Sequence, residues 1–246
     1  GRLAHHASTD PRHPAAGPSY SVEACAAACA AAGLDARPLQ GLGGEPFVAE
    51  QLARGRIIGW FDGPMEFGPR ALGGRSILAD PRDAAMRDVL NARIKHREPF
   101  RPFAPAILAE RAADYFEGAR PVPWMTEILP VRPERRADIA AAVHVDGTGR
   151  LQTVGEGDAP RLHALLRAFE ARTGVPALIN TSAAELNASD GISTAMTPSA
   201  MQPASRLRSS HAPKANAAAM THTSHGCRSA MPAQASPRML IAGVDG

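Results

Sequence analysis

The segment from Gly55 to Pro105 constrains the fold of this chain most strongly, because closely spaced glycine breaks interrupt it. The breaks are Gly63-Pro64, Gly68-Pro69 and Gly73-Gly74. Dipeptides of this kind keep the backbone out of regular helix and strand. The apolar run at 57–61 comes just before them, and its length and β-branched content predict a buried strand. The segment therefore predicts a strand that leads into a long, irregular loop.

Positively charged side chains flank these breaks and return after the helix that follows. They are Arg70, Arg75, Lys95, Arg97 and Arg101. Because arginine forks match phosphate oxygens two at a time, cations beside glycine turns and aromatic rings indicate an anion site. Phosphate or an adenylate is the natural ligand. The alternative is solvated surface charge over an ordinary core, and the residues alone leave both interpretations open.

Helix and strand signals alternate along the chain without a regular βαβ repeat. Predicted helices cover 21–32, 46–53, 109–116 and 159–172, and another starts at 80. Predicted strands cover 57–61, 76–79, 105–108, 125–131 and 175–179. This order predicts an α+β fold with an α/β-like character, in which helices flank a mixed, twisted sheet.

Three local expectations follow from turn and cap signals. Asp80 is predicted to cap the helix that carries Met86, Leu90 and Ile94 on one stripe. Residues 95–97 are predicted to be extended, so that Lys95 and Arg97 point the same way. The turn at 146–149 is predicted to join strands 143–145 and 151–154 in a hairpin. His144 and Asp146 are compatible with a metal pair, but a turn with a polar flank is favoured, and no metal site is predicted.

The composition limits which cellular compartment and which classes of binding partner are expected. The net charge is only +3, although the sequence pI is about 9.1, and the scattered basic residues do not demand a nucleic-acid partner. Three cysteines are too few for a disulfide framework, and Cys25 and Cys29 are expected as buried thiols. With no signal peptide and no long apolar span, the sequence predicts a cytoplasmic protein without a membrane partner.

The two ends differ in composition from the middle of the chain. Residues 1–18 lack periodicity and are expected to be a flexible leader, and residues 19–182 hold the folded domain. Residues 183–246 contain no aromatic residue and few acids, so we expect a disordered, low-complexity tail. Its Ala-, Ser-, Pro- and His-rich composition favours an out-of-frame or recombined tail, and a natural linker is the alternative.

Four runs of sequence occur in an order that is typical of one enzyme family. They are GWFDGPMEFGPRALGGRSILADPRD, IKHREPFRPFAPAIL, HVDGTGRLQTV and TGVPALINTS. Together they closely resemble the C-terminal domain of the O-carbamoyltransferases of antibiotic and nodulation-factor biosynthesis. The resemblance spans about 17–182 and stops before the end of that domain. It implies a YrdC-like fold.

The resemblance also implies an activity. In this family the C-terminal domain is expected to bind ATP, Mg²⁺ and carbamoyl phosphate and to form a carbamoyl-adenylate. A separate N-terminal domain, similar to the actin-like ATPase fold, holds iron and passes the carbamoyl group to a hydroxyl acceptor. This chain is therefore expected to be a fragment that is incomplete alone, with the ATPase-like part missing or supplied by another chain. Whether it is an enzyme on its own stays open.

Two short signatures of the YrdC-like fold map onto this chain. Lys-x-Arg matches Lys95 and Arg97, and the first residue of Ser-x-Asn matches Ser182, so these three are the catalytic candidates. Ala184 stands where Asn is expected, which removes an amide able to donate and accept hydrogen bonds. The candidates for ATP and anion binding are Arg70, Arg75, Arg101, Arg150 and Asn180.

Two further interpretations are compatible with the sequence. YrdC-like domains can bind RNA on a basic surface, but here the cations lie around glycine turns rather than along an exposed stripe with aromatic platforms. The other interpretation is that the chain is a non-functional truncated gene product. It arises because the sheet is expected to lack its final elements.

Overall fold

The computed structural model describes residues 14–18, 20–31, 36–183 and 193–194. Seven strands form its sheet: β1 (Ile58–Phe61), β2 (Arg75–Ala79), β3 (Ala104–Leu108), β4 (Glu127–Pro130), β5 (Thr148–Val154), β6 (Ala177–Ser182) and β7 (Ser193–Thr194). Their order across the sheet is β4-β5-β3-β6-β2-β1-β7. The pairs β3–β5 and β1–β7 are parallel, and the other neighbours are antiparallel. The predicted mixed sheet is confirmed.

Helices cover both faces of the sheet. The α-helices are α1 (Val22–Ala31), α2 (Gly44–Ala53), α3 (Ala85–Arg93), α4 (Ala112–Tyr115) and α5 (Pro160–Thr173), and 3₁₀ turns occupy Gln40–Leu42, Ala109–Arg111 and Pro133–Ala142. Side chains of α2 and α5 pack into one apolar core, whereas α3 and the 3₁₀ helix at 133–142 pack into a second. The predicted α+β class is therefore confirmed.

Alternation along the strands divides the side chains between these two cores. In β1, Ile58 and Trp60 belong to the core of α2 and α5, whereas Phe61 belongs to the core of α3. In β2, Leu78 and Ile77 divide in the same way. Successive strand residues point to opposite faces, so a short run that is apolar throughout can serve two layers of helix. This explains why these strands carry no polar alternation.

The predicted start of α3 is wrong, because the helix begins at Ala85 and not beside Asp80. The Asp80 carboxylate accepts hydrogen bonds from the Arg82 main-chain nitrogen at 2.9 Å and from its side-chain Nη2 at 2.6 Å. An aspartate engaged two residues ahead forms a turn of its own and does not cap a helix. Asp83 Oδ1 instead accepts from the Ala85 nitrogen at 2.9 Å.

The predicted hairpin at 143–154 is also wrong, although its turn is present. The His144 nitrogen donates to the Thr148 carbonyl at 2.8 Å, and Asp146 Oδ1 accepts from the Thr148 nitrogen at 3.0 Å. The antiparallel partner of β5 is β4, with Glu127 opposite Leu151. The 3₁₀ helix packs against the sheet up to Ala142, so the residues that follow connect this helix to the turn and form no strand.

The predicted leader and tail fall largely outside the described residues. Of 1–18, the structure describes 14–18, where the Gly17 nitrogen donates to the Met65 carbonyl at 2.8 Å. Of 183–246, it describes Ala183, which is buried, and β7. The expectation of disorder at either end stays a prediction.

Candidate functional site

A cavity of about 160 Å³ lies where the loop before β2, the loop after α3, β5 and the end of β6 meet. We call it the basic cavity. Six of the eight predicted site residues line it: Arg70, Lys95, Arg97, Arg150, Asn180 and Ser182. Segments that are far apart in sequence thus bring four cations to one concave surface. Ala184, the mismatch in the Ser-x-Asn signature, lies outside the described residues.

Lys95 joins the end of α3 to the end of β6. Its side chain is only 7% exposed, and Nζ donates to the Ser182 carbonyl at 2.5 Å and to Ser182 Oγ at 3.2 Å. A buried ammonium needs such oxygen partners, because leaving water without them is costly. The two halves of the predicted catalytic set are therefore in direct contact.

The backbone that presents Lys95 and Arg97 is a helix-ending turn and not the predicted extended segment. His96 has φ of 44°, in the left-handed region that favours glycine. The Lys95 nitrogen donates to the Leu90 carbonyl at 2.9 Å, and the Arg97 nitrogen donates to the Asn91 carbonyl at 3.1 Å. These bonds satisfy the last carbonyls of α3, which an extended segment would leave open.

Two of the contacts that hold Arg97 differ in kind. Its Nε donates to Asn91 Oδ1 at 2.7 Å, and its guanidinium carbon lies 4.8 Å from the centre of the Phe103 ring. The hydrogen bond lies in the plane of the guanidinium, and the ring covers its face. The orientation of this cation is therefore set by the protein before any ligand arrives.

Arg150 on β5 has unfavourable electrostatic surroundings in the basic cavity. Burial lowers its pKa, and the charges of Arg70 and Arg97 lower that pKa further. Its Nε is buried and has no hydrogen-bond acceptor among the described residues. Like charges held together out of water destabilise one another, and a bound anion would relieve that repulsion.

Asn180 forms the floor of the basic cavity. It is 1% exposed, and its Nδ2 donates to the Ala71 carbonyl at 3.2 Å and to Gln152 Oε1 at 2.8 Å. Gln152 in turn donates from Nε2 to the Leu72 carbonyl at 2.9 Å. The Asn180 Oδ1 atom is buried without a donor among the described residues. A buried acceptor of this kind calls for a donor on a ligand or a water.

Two predicted site residues do not line the basic cavity. Arg75 Nη2 lies 3.4 Å from the Gly68 carbonyl, so this side chain braces the glycine-rich loop. Arg101 is about half exposed, and its Nε lies 3.1 Å from a carboxylate oxygen of Glu98. Their assignment to anion binding stays a prediction.

A second cavity, of about 440 Å³, shares a wall with the first. We call it the wide cavity. Leu72 and Gln152 line the wide cavity. Ala71, which precedes Leu72 in the chain, and Asn180, which donates to Gln152, line the basic cavity. The charged lining residues of the wide cavity are Asp62, Glu66, Asp158 and Arg161.

Charges in the wide cavity are engaged with the protein itself. Glu66 Oε1 accepts from the nitrogens of Leu72 at 2.6 Å and Gly74 at 2.7 Å, which closes the glycine-rich loop. Arg161 Nε lies 2.9 Å from Glu45 Oε1, and Nη1 lies 3.6 Å from Asp62 Oδ1. Burial raises the pKa of Asp62, and the charge of Arg161 opposes that shift.

The sequence analysis missed three residues at or beside the basic cavity. Asn91 contacts Arg97, Gln152 contacts Asn180, and Met125 lines the cavity with φ of 53°. Asn91 carried a usable signal, because it stands three residues before Ile94 on a stripe that is otherwise apolar. The other two carried no such signal.

Comparison with known proteins assigns the chain to a family. The profile of a family described as Carbamoyltransferase C-terminus matches residues 49–202. Nodulation protein NolNO of Sinorhizobium fredii is 50% identical over 138 residues, which cover 55% of this chain and 20% of that protein. The 3'-hydroxymethylcephem-O-carbamoyltransferase of Amycolatopsis lactamdurans is 44% identical over 131 residues, covering 53% of this chain and 25% of that protein. The chain belongs to the carbamoyltransferase C-terminal family.

The match has a limited extent. The chain spans a quarter or less of the length of the curated relatives to which it is most similar. A solved structure of full-length HypF in the phosphate- and nucleotide-bound form aligns with a TM-score of 0.41 and 17% identity, over 56% of this chain and 20% of that chain. None of the described helices has the length and apolar content needed to cross a membrane.

Proposed function

We propose that the basic cavity binds the phosphate groups of ATP together with carbamoyl phosphate, and that this domain forms a carbamoyl-adenylate. One observation carries the proposal: four cations share one small cavity, and none of its described lining residues is acidic. The lowered pKa of Arg150 supports the proposal, because it reflects burial and repulsion from Arg70 and Arg97. A bound anion would offset that repulsion.

The size of the basic cavity fits part of these ligands. Sites that enclose a whole drug-sized ligand measure about 300–1,000 Å³, whereas this cavity measures about 160 Å³. It suits the carbamoyl and phosphate groups, with the nucleoside extending beyond it. Mg²⁺ would be carried on phosphate oxygens and water, since the described lining offers no carboxylate to hold it.

The proposed chemistry needs charge neutralisation and alignment and no nucleophilic side chain. With one water, carbamoyl phosphate gives carbamate and inorganic phosphate; a carbamate oxygen then attacks the α-phosphorus of ATP, and pyrophosphate leaves. Lys95 and Arg97 would neutralise the phosphate oxygens, and Arg70 and Arg150 would align the two anions. Asn180 Oδ1 would accept a hydrogen bond from the carbamoyl amide. Ser182 Oγ would remain a hydrogen-bond partner of Lys95.

Transfer to a hydroxyl acceptor is proposed for a longer protein or a partner chain. The relatives to which this chain is similar are four to five times longer than the region they share with it. A carbamoyl-adenylate is reactive towards hydroxyls, so the domain that makes it must deliver it to an acceptor site elsewhere. An ATPase-like, iron-holding domain is the partner that the family resemblance implies.

The test is calorimetric titration of ATP with Mg²⁺, and of carbamoyl phosphate, into the full chain and a Lys95→Ala, Arg97→Ala double variant. We expect heat of binding in the parent and its loss in the variant. The matched control removes two exposed arginines, Arg54→Ala with Arg167→Ala, and should bind as the parent does. Absence of binding by a folded parent would overturn the proposal.

Adenylation is tested separately from binding. We expect the chain to exchange labelled pyrophosphate into ATP only when carbamoyl phosphate is present. Binding without exchange would leave an anion site and remove the proposed reaction. RNA binding that rises at low salt and is not displaced by ATP would favour the RNA-binding alternative instead.

A further inference from the structure

Asn91 is a buried polar residue in the apolar stripe of α3. It is 1% exposed, and its neighbours on the same face, Leu90 and Ile94, belong to the apolar core. An amide at such a position costs free energy unless its donors and acceptor are all engaged. Asn91 therefore has a specific task that an apolar residue could not perform.

The side chain of Asn91 organises the loop that carries the basic residues. Its Nδ2 donates to the carbonyls of Pro99 at 3.2 Å and Arg101 at 3.0 Å, and its Oδ1 accepts from Arg97 Nε at 2.7 Å. Its own carbonyl accepts from the Arg97 nitrogen at 3.1 Å. One residue thus holds both the main chain and the guanidinium of Arg97.

We infer that Asn91 is a positioning residue that acts through Arg97 on the phosphate ligand. Asn91 and Phe103 together fix the plane of the guanidinium, as an in-plane hydrogen bond and a stacked ring. A guanidinium held in this way binds phosphate without first losing its rotational freedom. The inference rests on the proposed function, because it assigns Asn91 an effect on that same site.

A double-variant cycle on the full chain separates this role from general support of the loop. ATP affinity is measured by calorimetry for the parent, Asn91→Leu, Arg97→Ala and the double variant. We expect Asn91→Leu to weaken binding about tenfold, or about 1.4 kcal/mol. The double variant should bind no more weakly than Arg97→Ala, because the orientation of an absent guanidinium has no effect.

The matched control combines Asn91→Leu with Arg70→Ala, a cation on a different loop of the same cavity. Here the two losses should multiply, since no contact joins the two side chains. Multiplied losses with Arg97→Ala as well, or unchanged affinity in Asn91→Leu, would overturn the inference. No binding by the parent would overturn the proposed function first, so the two failures can be told apart.

A second variant keeps the test valid even where Asn91→Leu does not fold. Arg97→Lys retains the charge but cannot both bond to Asn91 and present a fork to phosphate. We expect it to lose most of the affinity that Arg97→Ala loses, while its unfolding midpoint stays near that of the parent. If Arg97→Lys binds ATP as the parent does, orientation by Asn91 contributes nothing and the inference fails.

Discussion

The two cavities that share the Asn180–Gln152 wall differ in the charges that line them and in how those charges are bonded. In the wide cavity, Glu66 bonds to two main-chain nitrogens and Arg161 faces Glu45 and Asp62. One further polar atom of Glu66 and one of Arg161 lack partners among the described residues. Arg161 is paired with opposite charge, whereas Glu66 is held by main-chain donors.

In the basic cavity, cations face cations. Arg150 is buried beside Arg70 and Arg97, and no acidic residue stands among the described lining. The difference shows that burial of charge is not by itself a sign of function. Charge that is held by main-chain donors or by opposite charge supports a loop, whereas repulsion within a cluster of like charges would be relieved by a ligand of opposite sign. Variants in the wide cavity should therefore affect stability, and variants in the basic cavity should affect binding.

The largest expected effect is on stability and comes from Glu66→Ala. The change leaves the nitrogens of Leu72 and Gly74 without an acceptor in a partly buried loop. Each lost partner costs about 1–3 kcal/mol, so the loss of both should lower the free energy of unfolding by about 2–6 kcal/mol. Urea denaturation followed by circular dichroism measures it.

Glu66→Gln is the control for this variant. It keeps one carbonyl oxygen for the two nitrogens and should cost about 1 kcal/mol, because a neutral acceptor bonds less strongly than a carboxylate. A folded, fully stable Glu66→Ala protein that had lost affinity for ATP would reverse the assignment of the two cavities.

Arg150→Met in the basic cavity should have the opposite effect. Removing a buried cation from beside Arg70 and Arg97 lowers the repulsion in the free protein, so stability should not fall. A charge-assisted hydrogen bond to a bound anion contributes about 1.5–3 kcal/mol, so affinity for ATP should fall at least tenfold. Calorimetry and urea denaturation of the same preparation give both quantities.

Arg167→Met, on an exposed part of α5, is the matched control and should alter neither quantity. A loss of stability of more than about 1 kcal/mol in Arg150→Met would mean that this arginine supports the fold. The cluster of cations would then have a structural explanation, and the contrast between the cavities would disappear.

The sequence predicted the parts of this contrast that depend on residue type and order. The glycine breaks and the cations beside them indicated a loop that serves an anion, and Arg70, Lys95 and Arg97 do converge on one cavity. The apolar runs predicted the strands, because burial on both faces demands them. These signals are local, and they predict the strands and the convergence of these side chains where no distant partner competes. That the loop serves an anion stays a prediction.

The sequence could not predict features that depend on distant partners. Asp80 is of a residue type that often caps helices, but it bonds to Arg82, whose Nη2 also donates to the distant Ala53 carbonyl. The segment 143–145 has the pattern of a strand, but β4 takes the place beside β5. Gln152 looks like an ordinary strand residue, and only the fold brings it to Asn180. The wide cavity likewise has no signature in the sequence.

A smaller effect links the turn at 144–148 to pH. Burial lowers the pKa of His144, the charge of Arg150 lowers it further, and Asp146 opposes the shift. The unfolded chain, with a pKa near about 6.5, then binds the proton more tightly than the folded chain. Stability should be full above about pH 6.5 and should fall as the pH drops through the lower folded pKa.

Urea denaturation at several pH values measures this dependence, and His144→Gln is the comparison. The parent should lose more stability than the variant between about pH 7.5 and 5, because only the parent carries a histidine whose protonation favours the unfolded chain. Equal losses in the two proteins would mean that His144 titrates alike in both states.

The smallest expected effect connects that turn back to the basic cavity. Because the charge of Arg150 lowers the pKa of His144, an anion bound at Arg150 should raise that pKa again. The shift should be upward and small, since it acts through a neighbour and is partly screened. It is measured by NMR titration of the His144 ring with and without saturating carbamoyl phosphate, with His163 on α5 as the internal reference. A shift at His144 alone would place the anion beside Arg150, whereas equal shifts at both rings would reflect ionic strength. No shift at either would mean that the anion binds away from Arg150, and the repulsion in the basic cavity would then need another explanation.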